Sequence, residues 1–142
     1  VAKLQAAGVE AELPGWIPAD EMPNHFAEAM IACVPSQRAS SGDAEGLPLV
    51  CIEAMLSGCA LAATYHAGIP ECVKDGETGY LVDERDSVAL ADRIGKMIDD
   101  PEATTRMGEE GLQFALEDFN LVEKSKRLQS ILMSAAEEAG TL

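Results

Sequence analysis

Glu45-Gly46-Leu47-Pro48-Leu49-Val50-Cys51-Ile52-Glu53 lies between two short apolar runs, Met30-Ile31-Ala32-Cys33-Val34 and Cys59-Ala60-Leu61-Ala62-Ala63-Thr64. The runs have the length and composition of buried strands. Pro48 suits the first turn of a helix, where its fixed φ fits and its missing N–H has no partner to lose. That helix runs to Ser57, and Gly58 is its stop. Strand, helix, strand in this order returns the second strand parallel to the first, because a helical crossover carries the chain back along the sheet.

The same alternation extends outward. Val1 to Ala7 reads as the tail of a helix ended at Gly8. Val9 to Leu13 alternates apolar and acidic residues, which predicts a short strand broken by Pro14-Gly15. Asp20 is placed to cap a helix through Ala29, with Pro23 in its first turn. Gln37 to Ala44 is a polar loop. Tyr65 to Pro70 is a loop feeding a short helix around Glu71 to Val73. Asp75 to Gly79 is a tight turn, and Tyr80 to Val82 a strand. Helices fill Ser87 to Asp99, Pro101 to Leu116 and about Leu121 to Ala139. The expected fold is α/β and Rossmann-like, a parallel sheet with helices on both faces and a helical C-terminal tail. Cys33 and Cys51 read as core thiols. Leu90, Ile94, Met97 and Ile98 follow helical spacing and read as core, as do Phe114, Leu116 and Phe119 beside the acidic run Glu102 to Asp118.

The 142 residues suffice for one domain with a sizeable core. The chain starts at Val1 rather than a methionine, so a piece of a longer protein is expected, read as one domain over residues 1–142 truncated at its N-terminus. No apolar run approaches the roughly 18 residues of a spanning helix. The formal net charge is −15, which opposes nucleic-acid phosphates and anionic lipid surfaces. A single bound phosphate group remains compatible, because backbone dipoles act locally and surface charge is screened. The four cysteines form no C-x-x-C pair, so zinc spacing is absent and structural thiols in a reducing cytoplasm are expected.

Ligands of open parallel sheets bind beyond the carboxyl ends of the strands, where loops lead into helix starts. The loop ending at Glu45 and the loop Tyr65 to Pro70 both lie there. The first-turn N–H groups of the helix after Pro48 have no intrahelical partner and can receive an anion. Gly46, Leu47, Leu49 and Val50 supply such N–H groups; Pro48 has none to give. Glu45 outside the helix and Glu53 within it can each grip hydroxyls, since a carboxylate accepts a vicinal diol with both oxygens. Hydroxyls, an anion, then more hydroxyls is the order found along a nucleotide sugar.

Three local patterns run through this region: Val34-Pro35-Ser36 followed by Glu45-Gly46-Leu47-Pro48 and Glu53, Thr64-Tyr65-His66-Ala67-Gly68-Ile69-Pro70-Glu71, and Asp75-Gly76-Glu77-Thr78-Gly79-Tyr80-Leu81-Val82. On them the chain resembles, from about Pro14 to Phe119, the C-terminal domain of a retaining glycosyltransferase of family GT4 with the two-domain GT-B architecture. The first pattern matches the family's E-x7-E signature. The resemblance implies that Glu53 accepts hydrogen bonds from the ribose hydroxyls. It implies that Glu45 contacts and orients the transferred sugar, as the catalytic candidate but not an assigned nucleophile. The amides of Gly46, Leu47, Leu49 and Val50 would meet the sugar and β-phosphate. Trp16 and Ile17 would lie beside the base, with a core anchor as the plainer reading of Trp16. His66 would approach the donor, against a plainer structural role, and Glu71 is better explained as structural.

There are departures. Many relatives carry Gly-Gly where this chain has Ala67-Gly68. The family's diphosphate-gripping Arg and Lys, and its acceptor-binding N-terminal domain, would precede Val1. The resemblance further implies transfer of a hexosyl group from a nucleoside-diphosphate sugar to a glycan or lipid-linked acceptor held by that missing domain, without metal or other cofactor. An exopolysaccharide pathway and a cytoplasmic setting fit, with no nucleic-acid partner and any membrane contact at the inner face made through the missing half. The C-terminal helix, residues 121–142, is expected to pack on the missing domain. The alternatives are a non-catalytic nucleotide- or sugar-binding regulatory module, and an interaction domain using its acidic helices. Base, sugar, acceptor and linkage stay open at this point.

Overall fold

The computed structural model describes residue 4, residues 6–39 and residues 46–140. Glu45 and most of the expected loop Gln37 to Ala44 lie outside the described residues. The sheet has three strands, β1 (Ile31–Val34), β2 (Ala60–Thr64) and β3 (Gly79–Val82), in the order β1-β2-β3. All pairings are parallel, with Ile31 opposite Ala60 and Leu61 opposite Gly79. Six helices accompany it among the described residues: α1 (Met22–Ala27), α2 (Leu49–Leu56), α3 (Ile69–Cys72), α4 (Ser87–Asp99), α5 (Pro101–Asp118) and α6 (Leu121–Glu138).

The centre of the core is β2, every residue of which is buried. Successive side chains of a strand point to opposite faces, and here both faces are covered. Leu61 and Ala63 join Cys51, Ala54 and Met55 of α2, Ile69 and Cys72 of α3, and Ala115 of α5. Ala60 and Ala62 face the other way, against Met97, Leu90 and Ile94 of α4 and Met107 of α5. The unbroken apolar run of β2 is the mark of a strand sandwiched between helical layers. The small residues of this strand let the helices approach closely. Gly108 of α5 rests against the Gly58 carbonyl, where an added Cβ would overlap the oxygen.

Local chemistry sets the helix ends. Asp86 accepts from Ala89 N at 2.8 Å, and Asp100 from Ala103 N at 2.9 Å. Asn120 accepts from both Val122 N and Glu123 N. These side-chain caps fix the starts of α4, α5 and α6 at the expected residues. Gly58, at φ +82°, ends α2 in the left-handed region.

Several expectations fail for identifiable reasons. No strand forms at Val9 to Leu13. A strand needs a partner, and within the described sheet β1 pairs only with β2; Val9 and Leu13 stay exposed. Asp20 does not cap α1. Glu21 and Met22 donate instead to Pro18 O, and the helix begins at Met22 behind an N-cap without a side-chain bond. Cys33 is exposed: α4 packs mainly over β2 and β3, and Ile31 is the β1 residue that reaches the cluster beneath it. Ile98 turns away from the sheet, one residue past buried Met97, and Leu116 likewise follows buried Ala115 into solvent. No helix among the described residues is long and apolar enough to cross a membrane.

Candidate functional site

Parallel strands send all three following loops to one edge of the sheet. There the loops are stitched together. Thr64 Oγ1 donates to Ser36 O at 2.5 Å, joining the ends of β2 and β1. Tyr65 N donates to Val82 O at 2.8 Å, joining β2 to β3. Gly68 N donates to Gly46 O at 2.9 Å, which docks the loop after β2 onto the turn that opens α2. A Cβ on Gly68 would stand 3.1 Å from Gly46 O and from Leu47 Cα, so the two backbones are in close contact.

That turn carries the expected amide donors. Pro48 is the N-cap of α2, so the helix begins at Leu49, one residue later than a start at Pro48, and Pro48 itself has extended backbone at φ −64° and ψ 118°. Among the described residues no side chain caps this helix, in contrast with α4, α5 and α6. The first-turn N–H groups that follow Gly46 and Leu47 thus have no side-chain acceptor among the described residues. Leu49 is 69% exposed, and Val50 is half-buried beside it. Glu53 is exposed one turn further on, in line with Leu49 at i, i+4, while its neighbours Ala54 and Met55 are fully buried. The helix thus roots itself in the core through one face and offers a carboxylate and its open end on the other.

His66 is 4% exposed, and its Nδ1 lies 2.7 Å from Glu84 Oε1. The other oxygen of Glu84 accepts from Arg38 N at 2.9 Å. The Arg38 amide first, and His66 second, hold the Glu84 carboxyl below the usual carboxylate range. Glu84 and Arg38 carry no motif that marks them in sequence; the one clue is that each stands a few residues beyond the end of a strand. Trp16 is 86% exposed and does not anchor a core. No hydrogen bond or ring contact joins Trp16 or Ile17 to these loops among the described residues. Glu71 is exposed in the first turn of α3. Asp75 does make the expected tight turn, accepting from Leu81 N at 2.9 Å, with Gly76 at φ +79°.

Comparison with known proteins bears on the family and the fold. Over 122 residues the chain is 35% identical to a GDP-mannose-dependent alpha-(1-6)-phosphatidylinositol monomannoside mannosyltransferase of Mycolicibacterium smegmatis, covering 85% of this chain and 32% of the relative. Over 80 residues it is 39% identical to the amylovoran biosynthesis glycosyltransferase AmsK of Erwinia amylovora, covering 56% of this chain and 20% of the relative. The chain therefore spans a third or less of the length of these curated relatives. Among solved structures, Anabaena Alr3699/HepE in complex with UDP superposes with a TM-score of 0.79 at 26% identity, covering 94% of this chain and 35% of that one. The family described as "Glycosyl transferases group 1" matches residues 2–114, and the chain belongs to it.

Proposed function

We propose that this chain is the donor-binding, C-terminal half of a retaining glycosyltransferase of GT-B architecture. The full protein moves a hexosyl group from a nucleoside-diphosphate sugar to a glycan or lipid-linked acceptor. The observation that carries this reading is the start of α2, uncapped among the described residues, with Glu53 one turn beyond it and the loop after β2 docked on its opening turn. Backbone N–H groups of Gly46, Leu47, Leu49 and Val50 receive the diphosphate and offset charge growing on the departing group. Glu53 accepts from the ribose hydroxyls. Glu45 orients the transferred sugar at the reacting carbon. Trp16 and Ile17 flank the base, and His66 stands behind the loop at the donor's edge. No metal takes part in this reading, because the amides supply the positive potential.

The relatives support the substrate class. One is named for dependence on GDP-mannose, one for synthesis of amylovoran, and a structural neighbour holds UDP. The reaction belongs in the cytoplasm, where any membrane contact and the acceptor site fall to the rest of the full-length protein. The apolar side chains exposed along α6, including Leu128, Leu132 and Met133, pack against that remainder. The test is a panel of nucleotide sugars titrated into the full-length protein, with and without Glu53→Ala. Loss of a charge-assisted hydrogen bond costs about 1.5–3 kcal/mol, so donor affinity should fall roughly 10- to 150-fold. A Kd unchanged by Glu53→Ala removes this residue from the site, and binding of no nucleotide sugar removes the donor reading itself.

A further inference from the structure

One side chain touches all three loops at the carboxyl edge of the sheet. Glu84 lies two residues past β3. Its Oε2 accepts from Arg38 N, in the loop after β1, at 2.9 Å. Its Oε1 lies 2.7 Å from Nδ1 of His66, in the loop after β2. The His66 side chain is 5% exposed and that of Glu84 29%, so the ring is buried and the carboxylate half-buried. Each partner is followed by a residue held in the left-handed region, Ala67 at φ +48° and Arg85 at φ +67°, the two non-glycine cases among the described residues. A residue with a Cβ stays in that region only where its surroundings over-determine it. Beyond Ala67 comes Gly68, whose N–H binds Gly46 O and whose Cα faces Leu47. A short path thus runs from the carboxylate to the turn that opens α2: one hydrogen bond to His66, two residues of chain to Gly68, and a second hydrogen bond to Gly46 O.

We propose that Glu84 is a positioning residue: by clamping His66 and the Arg38 amide together it presses the 65–68 loop onto Gly46 and Leu47, and so sets the aim of the helix-start amides on a nucleoside diphosphate. The proposal rests on the donor-binding reading above and adds a residue that the reading does not need. The hydrogen-bond logic gives it a distinctive signature. An ionised carboxylate only accepts, so the proton shared with His66 sits on Nδ1. A glutamine at this position can keep both bonds. Its carbonyl accepts from Arg38 N–H and its amide donates to Nδ1, which moves the ring proton to Nε2. An alanine loses both.

The experiment uses the full-length protein with UDP and GDP titrated separately by calorimetry, and nitrogen-15 NMR of the His66 ring. Glu84→Ala should weaken diphosphate binding by roughly 2- to 30-fold, the range for residues that act through others. Glu84→Gln should restore the affinity, with the ring proton on Nδ1 in the parent protein and on Nε2 in this variant. His66→Ala should match Glu84→Ala, and the double variant should be no weaker than either single change, because the two act as one unit. Losses that add, a ring proton on Nε2 in the parent, or a folded Glu84→Ala that binds like the parent would each overturn the proposal. Should Glu84→Ala fail to fold, Glu84→Gln and His66→Ala carry the same comparison, and full affinity in His66→Ala overturns it. A parent protein that binds neither diphosphate sinks the donor reading and this proposal together; binding by the parent with no response to these changes sinks this one alone.

Discussion

At the scale of single residues, the pair Ala67-Gly68 decides how near the second loop comes to α2. Ala67 adopts φ +48° without the freedom of a glycine, so the loop tolerates a strained residue at this position. Gly68 has no such latitude. A methyl group there would sit 3.1 Å from Gly46 O and from two Leu47 atoms, nearer than carbon atoms comfortably approach. Gly68→Ala should push the Gly46–Leu47 turn outward by a few tenths of an ångström and lengthen the Gly68 N–Gly46 O bond. Misplacement by about 1 Å can cost roughly 100-fold, so a several-fold loss of donor affinity is expected from this smaller shift. Donor titration of the full-length variant checks it; an unchanged Kd would mean that the loop does not steer the site. The residues of this site differ in how legible they were. Glu53 and the amide donors can be read from the sequence because they lie together within one turn-helix unit. Glu84 cannot, because its bonds reach 18 positions back to His66 and 46 back to Arg38, and nothing local announces them.

At the scale of elements, the strands and helices whose determinants are local emerge where the sequence puts them. Asp86, Asp100 and Asn120 cap their own helices, and Gly58 ends α2 through its own dihedral. The element that fails, Val9 to Leu13, depends on a partner strand, and alternation alone cannot supply one. Packing between elements likewise hangs on residues that look unremarkable. Gly108 sits mid-helix, where glycine costs roughly 1 kcal/mol relative to alanine, yet it lets α5 lie directly on the Gly58 carbonyl and reach Ala60. Gly108→Ala would improve helix propensity and still destabilise the fold, because the Cβ meets backbone rather than a yielding side chain. Forced overpacking of this kind costs about 1–3 kcal/mol. Urea denaturation of the parent and variant should show the midpoint fall with an unchanged slope. A variant as stable as the parent, or more so, would show that α5 can slide on the sheet without loss.

At the scale of the whole molecule, the features that remain unsatisfied point outward. Along α6, Leu121, Val122, Leu128, Ile131, Leu132 and Met133 are all more than half exposed. The chain carries 25 acidic residues against 10 lysines and arginines, so its surface cannot hold a diphosphate by net charge. In the reading proposed above, this chain's share of the grip comes from backbone dipoles at one helix start. The acceptor, in the reading proposed above, binds on that other part as well. Transfer requires donor and acceptor held in line within reacting distance, and in that reading this chain, which spans about a third of its relatives' length, supplies only one side of the arrangement. Residues 1–142 alone should therefore release no sugar to any acceptor, while the full-length protein turns over under the same conditions. The assay is product formation from a labelled nucleotide sugar with each protein purified separately. Turnover by residues 1–142 would place acceptor binding and the diphosphate grip within this chain, and would require a catalytic arrangement different from a cleft between two domains.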